Sequence, residues 1–163
     1  MKLQGTGLSL ISVLALATQV TAQEITEQRL TPDQIPWPPS QTNQIGSGMA
    51  RGLRTTYLVG DGTKEGLYTL VFELGPQAQI APHSHPDSRS CFVLSGNWYF
   101  AYGEQFVATS LQVLPPGSHY TEPGGRAHFA ETRETPVLVE CTSVGPTGTT
   151  FFTPANDPRS GTN

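Results

Sequence analysis

From Leu53 onward the chain is built of short stretches in which apolar and polar residues alternate, separated by turns rich in Gly and Pro. Alternation with a period of two is typical of strands that bury one face. The predicted strands are Thr55–Val59, Gly66–Leu74, Gln79–His85, Cys91–Leu94, Trp98–Tyr102, Val107–Leu114, His128–Glu131 and Val137–Ser143. No helix of consequence is indicated, and the 17 Gly and 14 Pro residues agree with an all-β chain.

The ends of the chain differ from this strand-rich centre. Residues 1–22 carry Lys2, an apolar run and a Val20-Thr21-Ala22 site, which predicts a signal peptide and export to the periplasm or the medium. The apolar run holds about ten residues, whereas a membrane span needs roughly 20. Residues 23–48, rich in Pro, are predicted to form an extended arm, 49–152 a barrel and 153–163 a loose tail.

Charge limits the partners. The chain has 9 Lys and Arg against 13 Asp and Glu, and loss of Lys2 with the signal leaves 8 against 13, a formal charge of −5. The charges are scattered, so no basic stripe for nucleic acid and no polybasic membrane anchor is indicated. A small-molecule ligand is the expected partner.

Cys91 and Cys141 are the two cysteines of the chain. In an oxidising compartment an even count permits one disulfide. Two small buried residues on neighbouring strands are the alternative, because the Cα separation decides the matter and the sequence does not give it.

Three histidines carry the clearest chemical signal. His83 and His85 are two residues apart in a predicted strand, so their side chains project from the same face and can share one ion. The Pro123-Gly124-Gly125 turn would return His128 towards this pair. Imidazole is the commonest protein ligand for metals, so one divalent ion is expected here.

Both stretches resemble the two motifs of the cupin family. The first motif is matched by Gly75, His83, His85 and Gly96, and the second by Gly117, Pro123, Gly125 and His128, with Thr132 in place of a final Asn. The chain is most similar to small single-domain cupins such as anti-sigma-factor metal-binding domains and diketone-cleaving dioxygenases. The resemblance implies a single double-stranded β-helix, or jelly-roll, barrel, one Fe, Zn, Mn, Ni or Cu ion, and an arm that can support a homodimer.

Arg89 stands where the family has its fourth ligand, a Glu. A guanidinium cannot ligate a cation, and a buried one needs a counter-charge. Three alternatives follow: internal pairing with a carboxylate such as that of Glu140, binding of an anionic substrate, or an orientation into solvent beside Asp87.

Other side chains are candidates for the ligand site. Trp98, Phe100 and Tyr102 share one face and could line a pocket or form core, and Glu140 is grouped with Arg89 as a substrate contact. Tyr120 is the candidate catalytic acid or base. Glu122 shares a face with Tyr120 and is a further acid or base candidate, but a surface charge beside the turn is the favoured interpretation. His119 is interpreted as a surface residue or an outer-sphere neighbour of the ion.

These observations predict an exported cupin with a mononuclear three-His site that binds or converts a small anionic or chelating molecule. Dioxygenation, hydrolysis and isomerisation are all compatible with such a site. A non-catalytic binding or sensing protein and a cupin that has lost its metal are the alternatives.

Overall fold

The computed structural model describes residues 24–39 and 52–153. The predicted signal peptide, the end of the arm and all but the first residue of the tail lie outside the described residues. Within the described ranges the helical segments are two short 3-10 turns, Pro32–Gln34 and Ala108–Ser110. No helix in these ranges has the length and apolar character needed to cross a membrane.

In the part of the chain that the structure describes, ten strands form two five-stranded antiparallel sheets. The strands are β1 Arg54–Val59, β2 Gly66–Leu74, β3 Gln79–Ser84, β4 Arg89–Ser95, β5 Trp98–Tyr102, β6 Gln112–Leu114, β7 His119–Glu122, β8 His128–Glu131, β9 Val137–Gly145 and β10 Thr150–Phe151. The first sheet has the order β1-β2-β9-β4-β7 and the second β10-β3-β8-β5-β6. Strands distant in sequence are therefore neighbours, and the predicted all-β jelly-roll barrel is confirmed.

The alternating pattern located most strands, and three have the predicted bounds. The predicted strand Val107–Leu114 is wrong in its first half, because within this range only Gln112–Leu114 is a strand. Both the Ser110 backbone N–H and its hydroxyl donate to the Val107 carbonyl, which closes a 3-10 turn instead. The fourth strand begins two residues earlier than predicted, at Arg89, and this extension brings Arg89 into the sheet.

The core lies between the two sheets. Tyr68, Leu74 and Val139 from the first sheet and Trp98 from the second are almost fully buried. The rings of Phe72 and Trp98 meet edge to face with centroids 5.8 Å apart. Apolar burial on this scale holds the sheets together and leaves one end of the barrel for polar groups.

Cys91 and Cys141 form a disulfide. They are directly opposite each other on β4 and β9, and neither is exposed to solvent. Of the two alternatives that the sequence left open, the structure contains the bonded one.

The described part of the arm lies against the first sheet. The Gln28 amide donates to the Leu58 carbonyl of β1 at 3.4 Å, and the Arg54 guanidinium lies 4.5 Å from the centre of the Trp37 ring. Pro32 opens the first 3-10 turn, and the residues on either side of that turn are not in a strand. Residues 24–39 are thus held through contacts with β1, and all of them except Ile35 and Trp37 are exposed.

We expect the double substitution C91A/C141A to lower the free energy of unfolding by about 4 kcal/mol, because the disulfide closes a loop of 50 residues in the unfolded chain. Urea unfolding followed by tryptophan fluorescence measures this. The matched control is V93A/V139A, which truncates the next buried pair of β4 and β9 and leaves the cross-link in place. A loss below about 1 kcal/mol in the cysteine variant would contradict the cross-link.

Candidate metal centre

Three imidazoles meet at one end of the second sheet. His83 on β3 is directly opposite His128 on β8, and His85 follows just beyond the end of β3. One ring nitrogen from each lies within 4.8 Å of those of the other two. Gly125 secures this arrangement, because its positive φ of 74° turns the chain and its N–H donates to the His85 carbonyl at 2.7 Å. The predicted convergence of the two histidine stretches is therefore present.

Backbone carbonyls fix the orientation of each ring. The Nδ1 atoms of His83, His85 and His128 lie 2.8, 2.6 and 3.1 Å from the carbonyl oxygens of Ala81, Gly148 and Arg126. A carbonyl accepts, so each Nδ1 carries the proton and each Nε2 keeps its lone pair. This is how proteins commonly orient metal-binding histidines.

Burial keeps these rings neutral. It is the largest cause that lowers the pKa of His83 to about 4, of His85 to about 2 and of His128 to about 4. Nε2 of His128 is buried and has no hydrogen-bond partner among the described residues. A buried lone pair without a donor needs a partner, and a divalent metal ion meets that need for all three rings. The residues present therefore fit an ion.

The opposite sheet contributes a buried ion pair. Arg89 begins β4, Glu122 ends β7, and the two are directly opposite each other. The Arg89 guanidinium donates to Glu122 Oε2 at 3.3 Å, to Asp87 Oδ2 at 3.2 Å and to Thr147 Oγ1 at 2.6 Å. Its side chain is 10% exposed, so the orientation into solvent is wrong and internal pairing is present.

Glu140 is not the partner of Arg89, and the hypothesis that it belongs to this site is wrong. Its neighbours Val139 and Cys141 on β9 are fully buried, so Glu140 projects from the outer face of the first sheet. A shift of one residue along a strand exchanges the faces. The pairing carboxylates come instead from Asp87 and Glu122.

Glu122 is buried, and its interpretation as a surface charge was wrong. It is 5% exposed and projects inward with Tyr120, whereas His119 and Thr121 face outward. Its Oε2 lies 3.6 Å from His85 Nε2 and 3.7 Å from His128 Nε2. The shared parity of Tyr120 and Glu122 was visible in the sequence, but the pairing of β7 with β4 was not.

The electrostatics of the cluster favour a cation. Desolvation opposes ionisation of Asp87, but hydrogen bonds from Thr147 and Tyr68 and the charge of Arg89 hold its pKa at about 2. Desolvation raises the pKa of Glu122, and the charge of Arg89 opposes that rise. With both carboxylates ionised, one guanidinium leaves an excess negative charge beside three neutral rings.

A cavity of about 360 Å³ opens onto the imidazoles. It is lined by Leu53, Thr55, Tyr57, Thr63, Leu70, Phe72, Ile80, His83, His85, Arg89, Trp98, Glu122, His128, Ala130, Thr147, Gly148, Thr149 and Phe151. Most of its wall is apolar, which is typical of small-molecule sites. Tyr57 is a cavity residue that the sequence did not predict, because no pattern in the residues of β1 shows that this strand borders the cavity.

The three predicted aromatic pocket residues occupy different places. Trp98 lines the cavity. Phe100 is buried beside it, with its ring centroid 5.5 Å from that of His128. Tyr102 is exposed and donates to the Thr121 carbonyl at 2.6 Å, so its predicted place in the pocket is wrong. The end of β5 has left the barrel interior at that point.

Tyr120 and His119 are neighbours on β7 with opposite environments. Tyr120 packs on Phe100 with centroids 4.6 Å apart and does not line the cavity. Burial, and next the charge of Glu122, raise its pKa well above the usual value for tyrosine. This position favours a supporting role over direct contact with a substrate. His119 is exposed, with its Nε2 3.0 Å from Ser90 Oγ.

No protein-family model matches this chain, and no curated protein matches its sequence. Solved structures do match. The polyketide cyclase RemF from Streptomyces resistomycificus is 17% identical, with a TM-score of 0.58 over 80% of this chain and 90% of that one. A cupin 2 conserved barrel domain protein from Rhodopseudomonas palustris is 12% identical, with a TM-score of 0.55 over 72% and 78%.

A chain from the structures of the DMSP lyases RdDddP and RnDddQII is 19% identical, with a TM-score of 0.54 over 69% of this chain. This protein spans 57% of that chain. At such identities the likeness shows the fold alone, a cupin-like double-stranded β-helix. The narrower resemblance to diketone-cleaving dioxygenases stays a prediction.

We expect R89M to lower the free energy of unfolding by about 3 to 5 kcal/mol, because the substitution leaves two buried carboxylates without their counter-charge. R133M is the matched control. Arg133 pairs with Glu131 at 2.8 Å but is 52% exposed, so its loss should cost much less than the loss of Arg89. Chemical unfolding of the metal-free proteins compares them, and equal losses would contradict a buried, structural role for Arg89.

Proposed function

We propose that this protein binds one divalent transition-metal ion through His83, His85 and His128 and uses it to convert a small organic molecule that chelates the ion through oxygen atoms. The convergence of three neutral, carbonyl-oriented Nε2 atoms at the base of a cavity carries this proposal. Three protein ligands leave coordination positions open, which distinguishes catalytic from structural metal sites.

The chemistry of such a site is divided between the ion and the protein. When bound, the ion would supply Lewis-acid polarisation of a carbonyl or carboxylate oxygen. Apolar side chains such as Phe72, Ile80 and Trp98 exclude water from the rest of the ligand. The Tyr57 hydroxyl is one neutral donor of the cavity wall, and burial raises its pKa above the usual value.

The size of the cavity and the character of its walls suggest the substrate class. A volume of about 360 Å³ suits a small molecule that is chelating at one end and apolar at the other. The guanidinium of Arg89 is held by Asp87, Glu122 and Thr147, which argues against it as the main receptor for a substrate anion. The ability of a substrate to chelate the ion through its oxygen atoms, rather than a contact with Arg89, would then determine which substrate is bound.

Two reaction classes fit this proposal. Among proteins of similar fold are DMSP lyases and a polyketide cyclase, which supports a lyase or cyclase reaction as the first class. Dioxygenation of a 1,3-dicarbonyl is the second class and follows from the sequence resemblance. The non-catalytic alternative, a binding or sensing protein, is supported by the internal pairing of Arg89.

Export belongs to this proposal. The buried disulfide between Cys91 and Cys141 supports it, because disulfides form and persist in oxidising compartments. A site loaded in the periplasm or the medium would acquire its ion by affinity, and copper and zinc rank above iron and manganese in that order.

We expect purified untagged protein to bind about one equivalent of Zn²⁺ or Co²⁺ per chain, and H128A to lose at least 90% of that binding because one of three ligands is gone. Elemental analysis after dialysis against the metal measures this. H119A is the control, since His119 is exposed and bonded to Ser90. Undiminished metal in H128A would overturn the ligand assignment.

We expect acetylacetone, a 1,3-diketone, to change the visible spectrum of the Co²⁺ protein, because chelation fills the open positions of the ion. Oxygen consumption by the Fe²⁺ protein with the same diketone then separates the reaction classes. Uptake of O₂ favours dioxygenation, whereas spectral change without uptake favours the lyase or cyclase class or a binding protein. An unchanged spectrum would contradict a chelating ligand.

A further inference from the structure

We infer that Glu122 is the fourth metal ligand of this protein, and that it supplies from β7 the carboxylate that the cupin resemblance would place at the position of Arg89 on β4. This inference rests on the proposed three-His metal site and deepens it. The observation that carries it is the placement of Glu122 Oε2 beside both His85 and His128.

Strand register explains how one carboxylate can replace another. Arg89 and Glu122 are directly opposite in the antiparallel pair β4–β7. Side chains of opposed residues leave the sheet on the same face, with Cβ atoms about 4.5 to 5.5 Å apart. A carboxylate at either position therefore reaches the same region, and both residues line the same cavity.

The distances match ligands around an ion. Oε2 lies 3.6 Å from His85 Nε2 and 3.7 Å from His128 Nε2, which is too long for a hydrogen bond. Two neighbouring ligands, each about 2.1 Å from one ion, lie roughly 3.0 Å apart at octahedral angles and roughly 3.4 Å apart at tetrahedral angles. Four protein ligands therefore suit an ion of higher coordination number, which keeps positions open for a chelating substrate. Nε2 of His128 is buried and has no hydrogen-bond partner among the described residues. A cation between these atoms would remove the mutual repulsion of their lone pairs.

The remaining partners hold Glu122 in place without occupying it fully. Arg89 Nη1 donates to the same Oε2 at 3.3 Å, and an ionised carboxylate oxygen accepts more than one partner. A carboxylate oxygen of Glu122 also lies within 4.8 Å of the sulfur atoms of Cys91 and Cys141. The disulfide thus packs against the Glu122 carboxylate, and the hydrogen bond from Arg89 restrains the orientation of that carboxylate.

Asp87 makes the exchange possible electrostatically. An arginine beside a metal site would repel the ion if it were alone. Asp87 accepts from Arg89 at 3.2 Å and from the Tyr68 hydroxyl at 2.5 Å, so it balances the guanidinium and leaves the charge of Glu122 for the ion. Arg89 and Asp87 therefore form one pair, and Glu122 is left to serve the metal.

The experiment compares Co²⁺ affinity and visible spectra of the wild type, E122Q and D87N. Loss of an outer-shell partner costs about 10- to 100-fold in metal affinity, so loss of a ligand in E122Q should cost about 100-fold and alter the Co²⁺ absorption bands. D87N removes the same charge from the same cluster but no ligand atom. It should cost about 10-fold or less and leave the bands unchanged.

The exchanged variant R89E/E122R supplies the complementary test. It returns the carboxylate to β4 and should recover affinity to within about 10-fold of the wild type, with the wild-type absorption bands. Circular dichroism of the metal-free proteins establishes that each variant is folded. If folded E122Q keeps the affinity and the spectrum of the wild type, Glu122 is not a ligand. If H128A loses the metal and E122Q does not, the three-His site stands without Glu122. If neither H128A nor E122Q loses the metal, the proposed function is overturned as well.

Discussion

The site depends on the pairing of Arg89 with Glu122 across β4 and β7, which holds two opposite charges inside the barrel facing three imidazoles. Burial of such a pair is costly unless its remaining groups are satisfied. Asp87 and Thr147 accept hydrogen bonds from the guanidinium. The Glu122 carboxylate also faces His85 and His128, and an ion could be bound between these groups. The polar end of an otherwise apolar barrel thereby offers a place for a cation.

Each sheet makes its own contribution to this arrangement. The second sheet supplies His83 and His128 in direct register, with His85 just beyond the strand, and the backbone fixes the rings through their Nδ1 atoms. The first sheet supplies the charged pair. The buried disulfide lies beneath that pair, so the groups that would meet an ion are supported from both sides.

Much of this was predictable from the sequence, and the failures have physical reasons. The spacing of His83 and His85 and the turn before His128 predicted the imidazole cluster, because parity and turn chemistry are local properties. Glu122 and the partners of Arg89 were not found, because they depend on which strands pair. Glu140 lies on β9, which pairs with the strand of Arg89, but its side chain projects from the outer face of the sheet. Only the register of the strands reveals that face.

The most direct test of this account is a crystal structure of the zinc-loaded protein, with the ion located by its anomalous scattering. The account predicts one ion about 2.0 to 2.2 Å from Nε2 of His83, His85 and His128 and from a carboxylate oxygen of Glu122, with Arg89 still bonded to Asp87. An ion held elsewhere, or a Glu122 carboxylate turned away from the three imidazoles, would contradict it.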